Sequence, residues 1–260
     1  MPGFATNDLV GMQPLTSIWN LDTVYPGGNF AQPFLQPGLI LAAADQYWGS
    51  IECLYVKFGG TVRQYGLCVV TPTFSATAGT GTGFQAPGYE YLATEAPASP
   101  NLGRTLGVAL RNATANQYGW LIVGGVTPVN CNASVAAGTT FGIAAAGQGG
   151  ANVASRQVVN AVVVQAAAAT VVKGGCFAPN ASTVLNVPNV EGWFPGIYLS
   201  GTGIAAGTVV TGIDVDNRRV ILNNATTAAV NGNVTGTYNN GTVFYNVAHL
   251  NRPFAQGAIT

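Results

Sequence analysis

The clearest strand pattern in the sequence is Ser50-Ile-Glu-Cys-Leu-Tyr-Val-Lys-Phe-Gly-Gly-Thr-Val-Arg-Gln-Tyr-Gly-Leu-Cys-Val-Val70. β-Branched and aromatic residues favour strands, and here they flank a diglycine, which favours a tight reversal. We therefore predict a β-hairpin that turns at Gly59 and Gly60. In that register Cys53 faces Gly66 and is only diagonal to Cys68, which is poor geometry for a disulfide.

The same pattern continues to the carboxyl end of the chain. Turn residues separate further short apolar runs at 106–111, 119–123, 126–129, 139–144 and 158–172, and more follow beyond residue 176. Strands at this spacing predict an all-β protein with a small β-barrel or sandwich core. The alanines of 160–173 are compatible with a helix, but Gln165 and Lys173 share a face only in a strand, so we predict strand.

Three parts are predicted along the chain: an extended arm rich in proline and aromatics (1–48), a β-barrel or sandwich domain (49–175) and a carboxyl-terminal β module (176–260). Residues 73–102 are rich in Ser, Thr, Gly and Pro and predict a long loop. The arm either packs on a neighbouring subunit or folds over its own core. The candidate interface residues in the arm and loop are Trp19, Tyr25, Phe30, Phe34, Trp48, Tyr89 and Tyr91.

Charge is scarce, because only nine basic and nine acidic residues occur in 260, or 7%. A compact monomer of this size exposes on the order of 10,700 Å², so each charge serves roughly 600 Å² of surface. With a formal net charge of zero, such a surface is expected to associate. The lack of basic clusters argues against nucleic acid, and the longest apolar run, 161–172, is too short to span a membrane.

The amino-terminal sequence has neither the basic start nor the apolar stretch of a secretory signal, which predicts synthesis and use in the cytosol. In that compartment Cys53, Cys68, Cys131 and Cys176 are expected to be buried, reduced thiols. They show no Cys-x-x-Cys spacing, and His249 is the only histidine, so no metal site is predicted.

No catalytic or cofactor site is predicted either. The acidic pair Asp214 and Asp216 fails as a calcium loop, because the fifth, sixth and twelfth positions are Arg218, Arg219 and Ala225. We interpret this segment as a turn between two strands. No Gly-x-Ser-x-Gly elbow accompanies His249, so a surface or hydrogen-bonded histidine is expected, and a glycan hydrolase on a β scaffold is a minor alternative.

Two segments carry a resemblance to phage proteins. The first is Gly103-Arg-Thr-Leu-Gly-Val-Ala-Leu-Arg-Asn-Ala-Thr-Ala-Asn-Gln-Tyr-Gly-Trp-Leu-Ile-Val-Gly-Gly-Val126, followed by Val135-Ala-Ala-Gly138. It resembles the decoration (cement) proteins of tailed bacteriophage capsids, and the likeness covers about residues 50–175. The second is Pro195-Gly-Ile-Tyr-Leu-Ser-Gly-Thr-Gly-Ile-Ala-Ala-Gly-Thr-Val-Val-Thr-Gly-Ile-Asp214, which looks like a short β module that recurs in phage structural proteins, including tail and fibre components. It points to a virion without naming the part.

The resemblance implies a small barrel or sandwich that forms a homotrimer on the capsid exterior and bridges copies of the major capsid protein. It implies no enzymatic activity and no cofactor. The alternative function is a tail, fibre or spike component that connects parts of the virion or binds the host. The long arm and the extra module depart from the smallest decoration proteins.

Overall fold

The protein is all-β in a computed structural model that describes residues 4–6, 19–20, 37–45, 49–75 and 88–258. No helix occurs in these ranges, and hence none that is long and apolar enough to cross a membrane. The prediction of an all-β fold with a barrel or sandwich core is confirmed. The strands in chain order are β1 (Phe4–Thr6), β2 (Trp19–Asn20), β3 (Ile40–Asp45), β4 (Gly49–Phe58), β5 (Leu67–Ser75), β6 (Gly88–Glu95), β7 (Leu106–Ala109), β8 (Gln117–Cys131), β9 (Phe141–Ala145), β10 (Gln148–Ala151), β11 (Val158–Gln165), β12 (Thr170–Ala178), β13 (Val184–Asn186), β14 (Tyr198–Ser200), β15 (Val210–Asp214), β16 (Arg219–Leu222), β17 (Val230–Thr237) and β18 (Phe244–Ala255).

The first ring is formed by β4, β6, β5, β7 and β8 in that order, because β8 also pairs with β4. One face of each strand points into a buried cluster of small and medium side chains. Side chains alternate between the two faces of a strand, so every second residue of β4 and β8 enters this interior. The interior is lined by Leu54, Val56, Phe58, Val62, Cys68, Val70, Ala93, Ala109, Ala113, Leu121 and Val123.

The outer face of the first ring is buried as well. Tyr55 of β4 stacks at 6.1 Å on Tyr118 of β8 and packs at 5.0 Å against Trp120, measured between ring centroids. Within the described part of the chain, the Tyr55 hydroxyl and the Trp120 Nε1 have no hydrogen-bond partner. Apolar contact therefore holds this part of the wall, and burial raises the pKa of Tyr55.

The second ring contains β14, β17, β12, β13, β16 and β15 in that order. A bridge between Tyr198 and Val209 closes it, and the Leu199 amide donates to the Thr208 carbonyl at 2.9 Å. The interior holds alternate residues of the strands and the apolar side chains of the loop 187–197, which connects β13 to β14. Among these, Trp193 and Phe194 are buried almost completely.

The last strand, β18, leaves the second ring and pairs with β8 and β11 of the first sheet. The buried side chain of Asn246 fixes this return. Its Oδ1 accepts from the amides of Val135 and Ala167 at 3.0 and 2.8 Å, and its Nδ2 donates to the Ala133 carbonyl at 3.0 Å. The side chain thus fixes the loop after β8 and the turn between β11 and β12 against β18.

Aromatic rings join the two rings of strands. Phe194 lies 5.6 Å from Tyr65, 5.3 Å from Tyr238 and 5.7 Å from Tyr245, measured between ring centroids. One buried cluster therefore runs from the outer wall of the first ring into the second ring. The division of the chain into three parts stays a prediction, although residues 170–237 form one sheet and 244–255 return to the other.

The predicted hairpin about Gly59 and Gly60 is wrong. The strand β4 is where the pattern places it, but β5 covers 67–75 and not 61–70. The strand β6 lies between them and pairs with both. Residues 73–75 and 88–95 were part of the predicted loop 73–102, so that prediction is wrong for these two segments. Strand propensity does not choose a pairing partner, and a distant strand took the place next to β4.

The single strand predicted over 158–172 is also wrong. A turn at 166–169 separates β11 from β12, which belong to different sheets, so Gln165 and Lys173 do not share a strand face. The strand character of the segment is confirmed. All four cysteines are buried thiols, as predicted, although the register used for Cys53 and Cys68 does not exist.

Of the predicted arm, the structure describes three pieces. β1 pairs with β3, β3 pairs with β4, and β2 pairs with β8 at Tyr118. These pieces join strands of their own chain. The rest of the arm lies outside the described residues.

Candidate functional site

An open pocket of about 500 Å³ lies where β4, β8 and β18 meet. It combines an ion pair, an imidazole and small polar groups above a floor of glycine. The lining residues are Ser50, Ile51, Glu52, Gly124, Gly125, His249, Leu250, Asn251 and Arg252.

The two glycines of β8 create the floor of this pocket. A Cβ at Gly124 would lie 3.2 Å from the Glu52 Cβ and Oε2, because the Glu52 side chain crosses over this residue. Gly125 has a φ of +93°, and a Cβ there would lie 2.4 Å from the Ser50 carbonyl oxygen. A side chain at Gly124 would press on Glu52, and Gly125 accepts glycine alone because of its positive φ and its close approach to the Ser50 backbone.

Above the floor, Arg252 forms a forked ion pair with Glu52. Its Nε donates to Oε2 at 3.0 Å and its Nη2 donates to Oε1 at 3.3 Å. Arg252 has a φ of +48°, which is uncommon for a residue with a side chain. Its hydrogen bond, followed by its positive charge, holds the pKa of the Glu52 carboxyl below its ordinary value.

His249 is exposed at the edge of the pocket, as expected for a surface histidine. No hydrogen bond in the described structure joins His249 to Ser50 or Glu52, and both Glu52 oxygens accept from Arg252. A serine nucleophile needs a base within hydrogen-bond reach. The arrangement offers an ion pair and small polar groups to a ligand.

The Asp214 segment is a turn, as predicted. It joins β15 to β16, with Asp214 opposite Arg219. The Asp214 carboxylate accepts from the Asn217 side chain at 2.7 Å and from its backbone amide at 3.2 Å, and these hydrogen bonds lower the pKa of Asp214. The carboxylate stabilises the reversal, and it lies in the second sheet while His249 lies in the first.

Metal-ligating side chains are not grouped in the described ranges, where no three His, Cys, Asp or Glu residues come together. The thiols are poor ligands and nucleophiles as they stand. Burial raises the pKa of Cys131 to about 11 and raises the pKa of Cys68 and Cys176 above the ordinary value. Neutral thiols in apolar surroundings act as small hydrophobic groups.

The second ring presents an apolar patch to solvent, which we call the outer patch and define as Phe177, Val184 and Ile221. Phe177 is 53% exposed and Ile221 is 45% exposed. Val184 pairs with Ile221, and Asn186, two residues further on the same face, pairs with Phe177. The sequence analysis missed this patch, although the alternation of Arg219-Val-Ile-Leu222 around a buried face signals it.

The predicted interface residues are described only in part. The Tyr91 ring packs partly buried against the interior cluster of the first ring and lies beside Gly38. Trp19 and Tyr89 lie in β2 and β6. Tyr25, Phe30, Phe34 and Trp48 fall outside the described residues, so the interface assignment stays a prediction.

Comparison with known proteins gives no relative. No protein-family model, no curated protein sequence and no solved structure matches this chain.

Proposed function

We propose that this protein is a virion structural protein that decorates and stabilises the outer surface of a phage capsid. The observation that carries the proposal is the outer patch, an apolar surface on a chain of which only 7% is charged. Exposed apolar surface of this kind is typical of a site that another protein covers. The sequence resemblance to decoration proteins supplies the class of partner.

In this function the protein works by burying surface and not by chemistry. The partner is the major capsid protein, and the decorating unit is a homotrimer that bridges neighbouring capsid subunits. Each interface needs only modest area, because many symmetric copies act together against the pressure of the packed genome. The protein is assembled in the host cytoplasm, it is not an enzyme and it needs no cofactor.

The test is binding of the purified protein to expanded, empty capsids, measured by co-sedimentation. The double variant Phe177→Asp, Ile221→Asp puts two charges into the outer patch, and desolvating them is unfavourable. We expect this variant to bind at least about tenfold more weakly, which is about 1.4 kcal/mol.

The matched control is Ile40→Asp, because Ile40 is a similarly exposed isoleucine on β3 of the first sheet. This control is expected to bind as the unmodified protein does. A well-folded protein that does not bind capsids at all would contradict the proposed function. Equal binding by all three proteins would contradict the role of the outer patch, but not the proposed function.

The alternative is a tail, fibre or spike component. The segment 195–214 supports it, because it resembles a module of phage structural proteins that include tail and fibre components. This segment provides β14 and all of β15 in the second ring. Electron microscopy of the purified protein separates the two functions. An elongated trimer that adheres to host cells favours the alternative, and a compact trimer that binds capsids favours decoration.

A further inference from the structure

Lys173 is a buried lysine in the wall of the second ring. It lies in β12 where a bulge at Gly174 and Gly175 turns its side chain inward, and it is only 6% exposed. Its Nζ lies 5.6 Å from the centre of the Trp193 ring. Buried lysines normally have a carboxylate partner, because removing an ammonium group from water is costly.

Lys173 instead meets neutral oxygen atoms. Its Nζ contacts the Asn189 Oδ1 at 2.5 Å and the Glu191 backbone carbonyl oxygen at 2.7 Å. The ion pairs of the described residues are formed elsewhere, by Arg63 with Glu95 and by Arg252 with Glu52. The amine is thus held on two sides but not neutralised by direct contact.

The contact with Asn189 also brings the amine close to an amide carbon. A C=O bond is about 1.23 Å long, so the Asn189 Cγ lies within about 3.7 Å of Nζ. Holding two reacting groups close together in a fixed orientation lowers the activation barrier, because the entropy of bringing them together is already lost on folding. The Glu191 carbonyl and the Trp193 ring fix the amine in this position.

The surroundings also favour the reactive form of the amine. Loss of solvent lowers the pKa of Lys173, and the charge of Glu191 only partly opposes this effect. A larger share of the amine is therefore neutral at a given pH than for a lysine in water. Neutral amines are nucleophiles, whereas ammonium groups are not.

We propose that Lys173 and Asn189 form an intramolecular isopeptide bond. The Lys173 Nζ attacks the Asn189 Cγ, and a bond forms between these two atoms. The bond from Cγ to the amide nitrogen then breaks, and that nitrogen leaves as ammonia with the proton that Nζ gives up. The step needs no oxidant, metal or other reactant.

The bond would fasten the loop 187–197 to the wall of the second ring. The loop already places Trp193 and Phe194 in the interior, and the Tyr238 hydroxyl donates to the Gly192 carbonyl at 2.6 Å. A covalent link closes the loop in the unfolded chain as well, which lowers the entropy gained on unfolding. This inference does not depend on the proposed function, although resistance to force suits a virion component.

The test is the mass of the intact, denatured protein. We expect it to fall short of the sequence mass by one ammonia, and digestion should give one peptide that contains both Lys173 and Asn189. Because the chain has two lysines, acetylation under denaturing conditions should label Lys57 and leave Lys173 unlabelled.

Three variants define the result. Lys173→Arg and Asn189→Ala should both have their full sequence mass, and Asn186→Ala, a control in the neighbouring strand β13, should still lack one ammonia. Ring closure of an asparagine to a succinimide loses the same mass, but it would persist in Lys173→Arg. A full-mass protein in which Lys173 is labelled as completely as Lys57 would overturn the proposal, and this measurement does not require that any variant folds.

Discussion

The two rings of strands differ in what covers their outer faces. In the first ring both faces of β4 are buried, with Val56 and Phe58 inside and Cys53 and Tyr55 outside. In β16 of the second ring, buried Val220 and Leu222 alternate with exposed residues. A strand that is buried on both faces has a nearly continuous run of apolar residues in its sequence. A strand with one face in water alternates apolar and polar residues. The second ring is therefore the one with a face left for a partner.

The largest expected effect on the free energy of unfolding comes from replacing a phenylalanine by alanine, once in each ring. Phe58→Ala removes an interior side chain of the first ring and should lower the free energy of unfolding by about 3 to 5 kcal/mol. Phe177→Ala removes an exposed side chain of the second ring and should change it by less than about 0.5 kcal/mol. Chemical denaturation at equal protein concentrations measures both. If the two losses were similar, the outer patch would not be free surface.

The next effect concerns the strand that connects the two rings. Asn246→Ala leaves two buried amides and one carbonyl without their partner, which should cost about 3 kcal/mol. Asn223→Ala is the control, because Asn223 accepts from the Val209 amide at an exposed turn and should cost about 1 kcal/mol or less. The free energies of unfolding of the two variants give the comparison. A loss below that of the control would mean that β18 returns to the first sheet without this side chain.

The smallest effect concerns the pocket of the first sheet. The pKa of Glu52 is lower in the folded protein than its ordinary value of 4.5, so the pair with Arg252 stabilises the fold above that pH. This contribution is lost as the pH falls through the lower, folded pKa. Because both side chains are partly exposed, Glu52→Gln should cost only about 0.2 to 1 kcal/mol near pH 7.

The measurement is the difference in unfolding free energy between the protein and Glu52→Gln as a function of pH. The difference should vanish in acid, where Glu52 is protonated in both states. A difference that is independent of pH would show that the substitution acts through packing over Gly124 and not through charge.

Local features of the fold were predictable because they depend on neighbours in the sequence. β-Branched runs located most strands, and the short polar residues at 214–217 located a turn that the Asp214 carboxylate stabilises. The buried thiols were predicted from the expected compartment and from the spacing of the cysteines. The strand β17, Val-Asn-Gly-Asn-Val-Thr-Gly-Thr, carries a weaker signal because glycine and asparagine interrupt its β-branched residues, and its neighbours β12 and β14 hold it in place.

The candidate site was not predictable in the same way. Glu52 and Arg252 are 200 residues apart, and only the return of β18 beside β8 brings them together. The one local signal was the diglycine Gly124 and Gly125 within an apolar strand. It indicates where the floor of the pocket lies, but not which side chains lie above that floor. The contact between Lys173 and Asn189 likewise requires the bulge in β12 and the loop after β13.

By itself the sequence determined that the chain is made of β-strands, where most of them lie, and that few charges would cover the result. Only the tertiary structure decided that β6 separates β4 from β5, that the strands close into two rings, and which apolar face remains exposed. The physical reason is that side-chain alternation and turn propensity act over a few residues. Strand pairing is a competition among distant segments, decided by the packing of the whole core.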